Sequence, residues 1–247
     1  MKTLLLRANP RKCGATEKLA NLFAGGMRSA GADLLDVDLC AAKIEMCRGC
    51  FACSATGECP LDDDMRPILA ALDGADALVL ASPVYFYSMS AQLKVFFDRC
   101  FPFVGGYSTN PADGSPSSQM RFKVPHKKLV TIGAASGTSA SFEALSSTYR
   151  LLAQAMGFEY VADICRAESP YFVDSDSRSL RMRSILKAFE RAGAEFAQSG
   201  KISSETLERA QARLSESDEV FARRTSIFWR LKKSGCGARP GGGRGVR

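Results

Sequence analysis

The chain has 247 residues, 46% hydrophobic and 24% charged, a composition that excludes a globally disordered or fibrous protein and suits one large α/β domain with extensions. Its net charge of +7 is local: residues 223–247 hold eight Lys or Arg and no acid, which leaves the body close to neutral and argues against a nucleic-acid-binding surface there. No apolar run reaches the roughly 18 residues of a membrane-spanning helix, and KTLLLRA at the N-terminus is too short for a signal-peptide core, so the expectation is a cytoplasmic protein without a transmembrane segment.

Residues 2–7, KTLLLR, predict a first strand, and NPRKCGAT forms the loop after it. Thr16 stands where it can cap the next helix, whose apolar face is Leu19, Leu22, Phe23 and Met27 and which Gly31 ends. The loop sets Gly14, the Thr16 hydroxyl, the Asn9 amide and Arg11 beside a helix N-terminus, a chemistry suited to phosphate. An ordinary strand-to-helix turn has the same ingredients, and neither GxGxxG nor GxxxxGK[ST] is present.

ADLLDVDL, residues 32–39, predicts the second strand, and CRGCFACSATGECP follows it closely. Cys47, Cys50, Cys53 and Cys59 give C-x2-C-x2-C-x5-C. In a reducing compartment that is not a disulfide framework. Two-residue intervals let neighbouring thiolates converge on one metal centre, and soft sulfur suits an iron-sulfur cluster or zinc. The compact spacing favours iron-sulfur, since zinc sites more often use cysteine pairs far apart. Cys13, Cys40, Cys100, Cys165 and Cys236 lack such spacing, and Cys13 is a candidate reactive thiol in the phosphate-type loop. Asp62, Asp63 and Asp64 read as the cap of a helix running to Leu72, with a magnesium site as the lesser reading.

ALVLASPVYFY, from Ala77, reads as a strand covered on both faces, with Tyr85, Phe86 and Tyr87 clustered at its end to face either core or ligand. A helix begins near Ser90, and residues 104–126, rich in Gly, Pro and Ser, read as a long loop, a lid or an insertion. KKLVTIGAA and FEYVADIC supply the fourth and fifth strands around a helix over 140–156. This alternation implies a doubly wound, five-stranded parallel α/β sheet whose ligand lies beyond the carboxyl ends of the strands, so loops 8–16, 83–88 and 134–139 should share one edge. Helices are expected over 176–199 and 204–220, and SGCGARPGGGRGVR is expected to be disordered. The boundary falls between a domain of residues 1–200 and a helical, basic extension of 201–247. The single histidine, His126, sits beside Pro125, a poor setting for a Ser-His-acid triad.

Three segments carry a family likeness. ANPRKCGATEKL resembles the flavin-phosphate loop GSPRKxGNTxxL, with Ala8, Asn9 and Ala15 replacing the usual glycine, serine and asparagine. CRGCFACSATGECPLDDDM resembles a compact cysteine motif, and SPVYFYSMSAQLKVFFDR resembles a loop and helix that hold an isoalloxazine ring. Together they resemble the NADPH-dependent FMN reductase branch of the flavodoxin-like fold, and within it the iron-sulfur flavoproteins. The resemblance implies a flavodoxin-like sheet with the cysteine loop after its second strand and a helical C-terminal extension. It implies FMN phosphate contacts from Asn9, Arg11, Gly14 and Thr16, ring contacts from Pro83, Val84, Tyr85, Phe86 and Ser88, and a third flavin-facing loop at Ala135, Ser136 and Gly137. It further implies a [4Fe-4S] cluster on Cys47, Cys50, Cys53 and Cys59, and a homodimer or homotetramer with flavin near an interface. The expected function is an oxidoreductase joining NAD(P)H or another donor to one-electron transfer toward a redox protein or small-molecule acceptor. The alternatives are an FMN-dependent quinone or flavin reductase without the cluster, and a non-catalytic scaffold with structural zinc.

Overall fold

The computed structural model describes residues 1–109, 114, 116–174 and 179–233. In chain order its elements are β1 (Lys2–Arg7), α1 (Ala15–Ser29), β2 (Asp33–Asp38), α2 (Ala52–Thr56), α3 (Met65–Asp73), β3 (Ala77–Pro83), α4 (Ala91–Asp98), β4 (Val104–Thr109), β5 (Pro116–Met120), β6 (Lys128–Ala134), α5 (Glu143–Met156), β7 (Glu159–Arg166), α6 (Pro170–Asp174), α7 (Leu180–Ser199), α8 (Ser204–Gln211) and α9 (Asp218–Lys233). The expected tail from 234 onward lies outside the described residues.

Five strands form one sheet in the order β2-β1-β3-β6-β7, each neighbouring pair parallel, which is the flavodoxin-like doubly wound arrangement. All seven residues of β3 are buried, as an apolar strand at the centre of a sheet covered on both faces must be. The two-residue strand period sends Leu4, Leu6, Leu78 and Leu80 into one core with Ile68, Leu72, Leu93, Phe96 and Tyr149. Leu5 and Val79 face the other side, where α1 packs on the sheet and α7 packs on α1. There Gly26 and Gly193 let the two helix backbones touch: a Cβ on Gly26 would fall 1.8 Å from the Glu190 carbonyl oxygen, and one on Gly193 would fall 2.0 Å from that of Phe23.

Several sequence expectations are corrected. Gly14, in extended conformation, caps α1, so Thr16 lies inside the first turn. The third strand stops at Pro83, and within the stretch read as a long loop, lid or insertion β4 and β5 pair antiparallel. The helix expected over 204–220 ends at Gln211, and a new one starts at Asp218, where the Ser217 hydroxyl accepts from the Val220 N–H at 3.2 Å. Chain contacts separate Met1–Ala212 from a unit that begins at Arg213.

Glu17, Asp36, Asp63 and Glu168 pair with buried arginines, and Asp36 shows the consequence. Burial pushes its pKa up, but hydrogen bonds and charges from Arg7 (2.6 Å) and Arg28 (2.8 Å) outweigh that and lower it below the ordinary value. A depressed carboxylate adds stability above its unfolded pKa, about 3.9, and loses it as pH falls through the folded value. The urea midpoint should therefore fall steeply below about pH 4. Asp36→Asn should cost about 2 kcal/mol at pH 7 and flatten that acid limb, because the charge-assisted bonds to Arg7 are gone before protonation begins. An unchanged limb in the variant would contradict this assignment.

Candidate functional site

The sheet order places the ends of β1, β3 and β6 side by side, and backbone bonds tie their loops together. The Ala8 N–H donates to the Ala81 carbonyl at 2.8 Å, and the Val84 N–H to that of Ala134 at 2.9 Å. Ser90, the cap of α4, donates its hydroxyl to the Ala8 carbonyl at 2.7 Å, while its own N–H reaches the Ser82 hydroxyl at 3.1 Å. The Ala135 N–H donates to the Arg166 carbonyl at 3.1 Å, and the Glu168 N–H to that of Gly137 at 3.0 Å. Loops 8–14, 84–88 and 135–138 thus form one rim at the carboxyl edge, where open parallel sheets take ligands.

On this rim Asn9, Gly14, Thr16 and Pro83 are buried, Val84, Ser136 and Gly137 are half-buried, and Arg11, Tyr85, Phe86 and Ser88 are exposed. No side chain caps the N-terminus of α1, so the first-turn N–H groups have no side-chain acceptor there, a fitting cradle for a dianion. Glu17 in that turn is held by Arg7 at 3.3 Å and by the Asn9 amide at 2.7 Å, which limits its repulsion of an anion. The same bond engages one of the two Asn9 Nδ2 hydrogens, while among the described residues its buried Oδ1 has no hydrogen-bond partner. Tyr85 and Ser88 exchange backbone hydrogen bonds at 2.9 and 3.0 Å around Phe86 and Tyr87, both in left-handed conformation (φ 47° and 64°). That turn leaves the Phe86 ring fully exposed, which disposes of a core-packing role for it.

The cysteine segment forms a second site. Left-handed Gly49, Phe51 and Gly57 (φ 62°, 56° and 74°) fold it around the short α2. Cys47, Cys50, Cys53 and Cys59 all line one cavity of about 430 Å³, with Phe51 and Phe101 edge-on at 6.1 Å on its wall. Cys53 is buried, Cys59 half-buried and the other two exposed. Burial pushes the Cys53 thiol up, and the neighbouring Cys59, Cys50 and Cys47 push it further, as expected of four sulfurs near one another. Among the described residues no group of three or more His, Cys, Asp or Glu is arranged to hold a single metal ion.

Two arginines distant in sequence hold this segment. Arg121 donates to the carbonyls of Cys53 and Ser54 at 3.4 and 2.8 Å. Arg99, only 2% exposed, forms a bidentate pair with Asp63 at 2.6 and 3.0 Å and donates to the Glu45 carbonyl at 2.7 Å. Asp63 also accepts from the N–H groups of Glu45 and Met65, at 2.9 and 3.0 Å, so its carboxylate serves this local scaffold. Sequence reasoning passed over Arg99, although a charged residue in the apolar run VFFDRCFPF signals a buried partner. Of the remaining thiols, burial pushes half-buried Cys165 up to about 12, and Cys100 is buried. Cys13 is exposed.

The sequence pattern of the family described as NADPH-dependent FMN reductase matches residues 1–167. An iron-sulfur flavoprotein of Archaeoglobus fulgidus is 36% identical over 103 residues, 42% of this chain and 47% of its own length. One from Methanocaldococcus jannaschii is 35% identical over 107 residues, 43% of this chain and 55% of its own. The chain thus spans about half the length of the curated relatives it matches. Among solved structures, an NAD(P)H:quinone oxidoreductase from Methanothermobacter marburgensis aligns with a TM-score of 0.59 at 22% identity, covering 79% of this chain and 96% of that one. An FMN-dependent NADH-azoreductase from Bacillus anthracis aligns with a TM-score of 0.59 at 14% identity, covering 79% and 99%. At such identities these structures speak for the fold alone.

Proposed function

The chain belongs to the NADPH-dependent FMN reductase family, and from that premise we propose that it is an FMN-dependent oxidoreductase passing electrons from a nicotinamide donor to a quinone- or flavin-type acceptor. The observation that carries the proposal is the rim of three tied loops, with a helix N-terminus capped only by glycine at one end and an exposed aromatic turn at the other. Bound FMN would supply the redox chemistry itself. Gly14, Thr16 and the first-turn N–H groups would hold its phosphate, with the Arg11 charge nearby, and Pro83, Val84 and the 85–88 turn would flank its ring, with Ser136 and Gly137 opposite. Fully exposed Phe86 fits a second copy of the chain closing over the ring.

Thr16→Val keeps the buried volume and removes the hydroxyl. It should weaken FMN binding about tenfold, near 1.4 kcal/mol, by fluorescence titration, without moving the thermal midpoint. Purified protein that neither retains nor takes up FMN, or that binds it without FMN-dependent NADPH oxidation, would refute the function.

The shared cavity of four thiols favours a second reading, in which the same enzyme also carries a [4Fe-4S] cluster and so couples to one-electron acceptors. The donor set fits: a cubane spreads its four thiolates over four irons, whereas a tetrahedral zinc ion needs them around one atom. The names of the curated relatives point the same way. Iron and acid-labile sulfide, about four of each per chain after anaerobic purification, would support this reading, and zinc or no metal would leave the reductase alone.

A further inference from the structure

Cys59 lines two cavities, one shared with the other three thiols and one that opens toward Arg66, Arg121 and Lys123, and Arg99 lines both beside it. The guanidinium is almost wholly spoken for. Its Nη atoms serve Asp63 and the Glu45 carbonyl, which fixes the plane of the fork, and its side chain is 1% exposed against 7% for Asp63. Among the described residues the buried Nε–H has no hydrogen-bond partner. Arg99 and Cys59 line both cavities together, so the spare donor and the Cys59 side chain share one wall. Buried N–H groups are seldom left unmade, and a thiolate bound to metal is a stronger acceptor than a thiol.

We propose that Arg99 is a positioning residue whose Nε–H donates to the metal-bound sulfur of Cys59 and raises the electron affinity of the group held by the four cysteines. The proposal rests on the cluster reading above. Its logic is electrostatic: a reduced cluster carries one more negative charge, so a hydrogen bond and a cation at its sulfur stabilise the reduced form more than the oxidised one. Asp63 keeps the fork in register and offsets part of its charge, which leaves the directed N–H as the distinguishing element.

Arg99→Lys retains the cation beside Asp63 and deletes the Nε–H. In anaerobically reconstituted protein, followed by electron paramagnetic resonance during a redox titration, the variant should bind wild-type amounts of iron and sulfide. Its midpoint should move negative by a tenfold change in the reduced-to-oxidised ratio, about 59 mV for one electron. The double variant Arg99→Met/Asp63→Asn, which removes both charges of the pair, should shift in the same direction. A fully loaded Arg99→Lys protein with the wild-type midpoint would overturn the assignment while sparing the cluster reading. Loss of iron from both variants beside a loaded wild type would confine Arg99 to loop architecture and overturn it equally. Wild type that takes up neither iron nor sulfide would remove the cluster reading, and the assignment with it.

Discussion

Arg166→Met is expected to lower the unfolding free energy by about 3–5 kcal/mol. Arg166 ends β7 with no exposed surface. Its Nη1 donates to the carbonyls of Ala210 and Ala212 at 3.2 and 2.6 Å, its Nε to that of Ala167 at 2.8 Å, and its Nη2 to Glu168 at 3.1 Å. The guanidinium carbon also lies 5.1 Å from the centre of the Phe172 ring. Burial pulls the pKa down to about 10 even though Glu168 pushes the other way. Methionine preserves much of the volume but abandons three carbonyls and removes the cation facing Glu168. The double variant Arg166→Met/Glu168→Gln should recover part of the loss, since the second change removes the remaining charge. Chemical denaturation of the four proteins gives the coupling directly, and a loss below about 1 kcal/mol for the single variant would show that the staple is not stabilising. The effect should also reach the proposed flavin rim, because the Arg166 carbonyl holds the Ala135 N–H and Glu168, at φ 58°, donates its N–H to Gly137.

A single methyl group on α1 or α7 should do comparable damage. Gly26→Ala gains helix propensity of about 1 kcal/mol, yet its Cβ would stand 1.8 Å from the Glu190 carbonyl oxygen and 2.8 Å from the carbonyl carbon. The obstacle is backbone, with no rotamer to yield, so the helices must separate and give up packing around Phe23 and Phe196, whose rings lie 6.2 Å apart. A net loss of about 3 kcal/mol is expected for Gly26→Ala, and a similar one for Gly193→Ala. Gly25→Ala is the internal control: nothing lies within 4 Å of its Cβ, and it should stabilise by about 0.5–1 kcal/mol. The double Gly26→Ala/Gly193→Ala variant should lose less than the sum, since the first methyl already lifts the crossing. Equal behaviour of Gly25→Ala and Gly26→Ala in urea unfolding would contradict the close approach.

These glycines mark the limit of what the sequence alone discloses. The strands were legible because apolar residues crowd them: ALVLASP carries its burial in its composition, and the rim followed from strand alternation. The β4–β5 pair was not, because Gly105, Gly106 and Ser108 bury little apolar surface and exposed Tyr107 gives no inward face to read. Thr16 looked like a cap because hydroxyl residues favour that position, but Gly14 reaches extended geometry two residues earlier. The cysteine spacing indicated which thiols would gather. It could not disclose that Arg99 and Arg121, far along the chain, would hold them, since such pairings exist only once α4 and the β4–β5 pair have been placed. Gly26 and Gly193 are silent for the same reason: a close approach belongs to two helices and is written in neither.

The reach of Arg121 also bears on the order of events during synthesis. The guanidinium that holds the Cys53 carbonyl belongs to a residue 68 positions later, and the Arg99 that pairs with Asp63 comes 36 positions later. A chain growing from its N-terminus therefore presents its thiol segment well before either clasp has emerged. Residues 47–59 can make these contacts only after both arginines have been synthesised, so the thiol segment leaves the ribosome before the side chains that hold it.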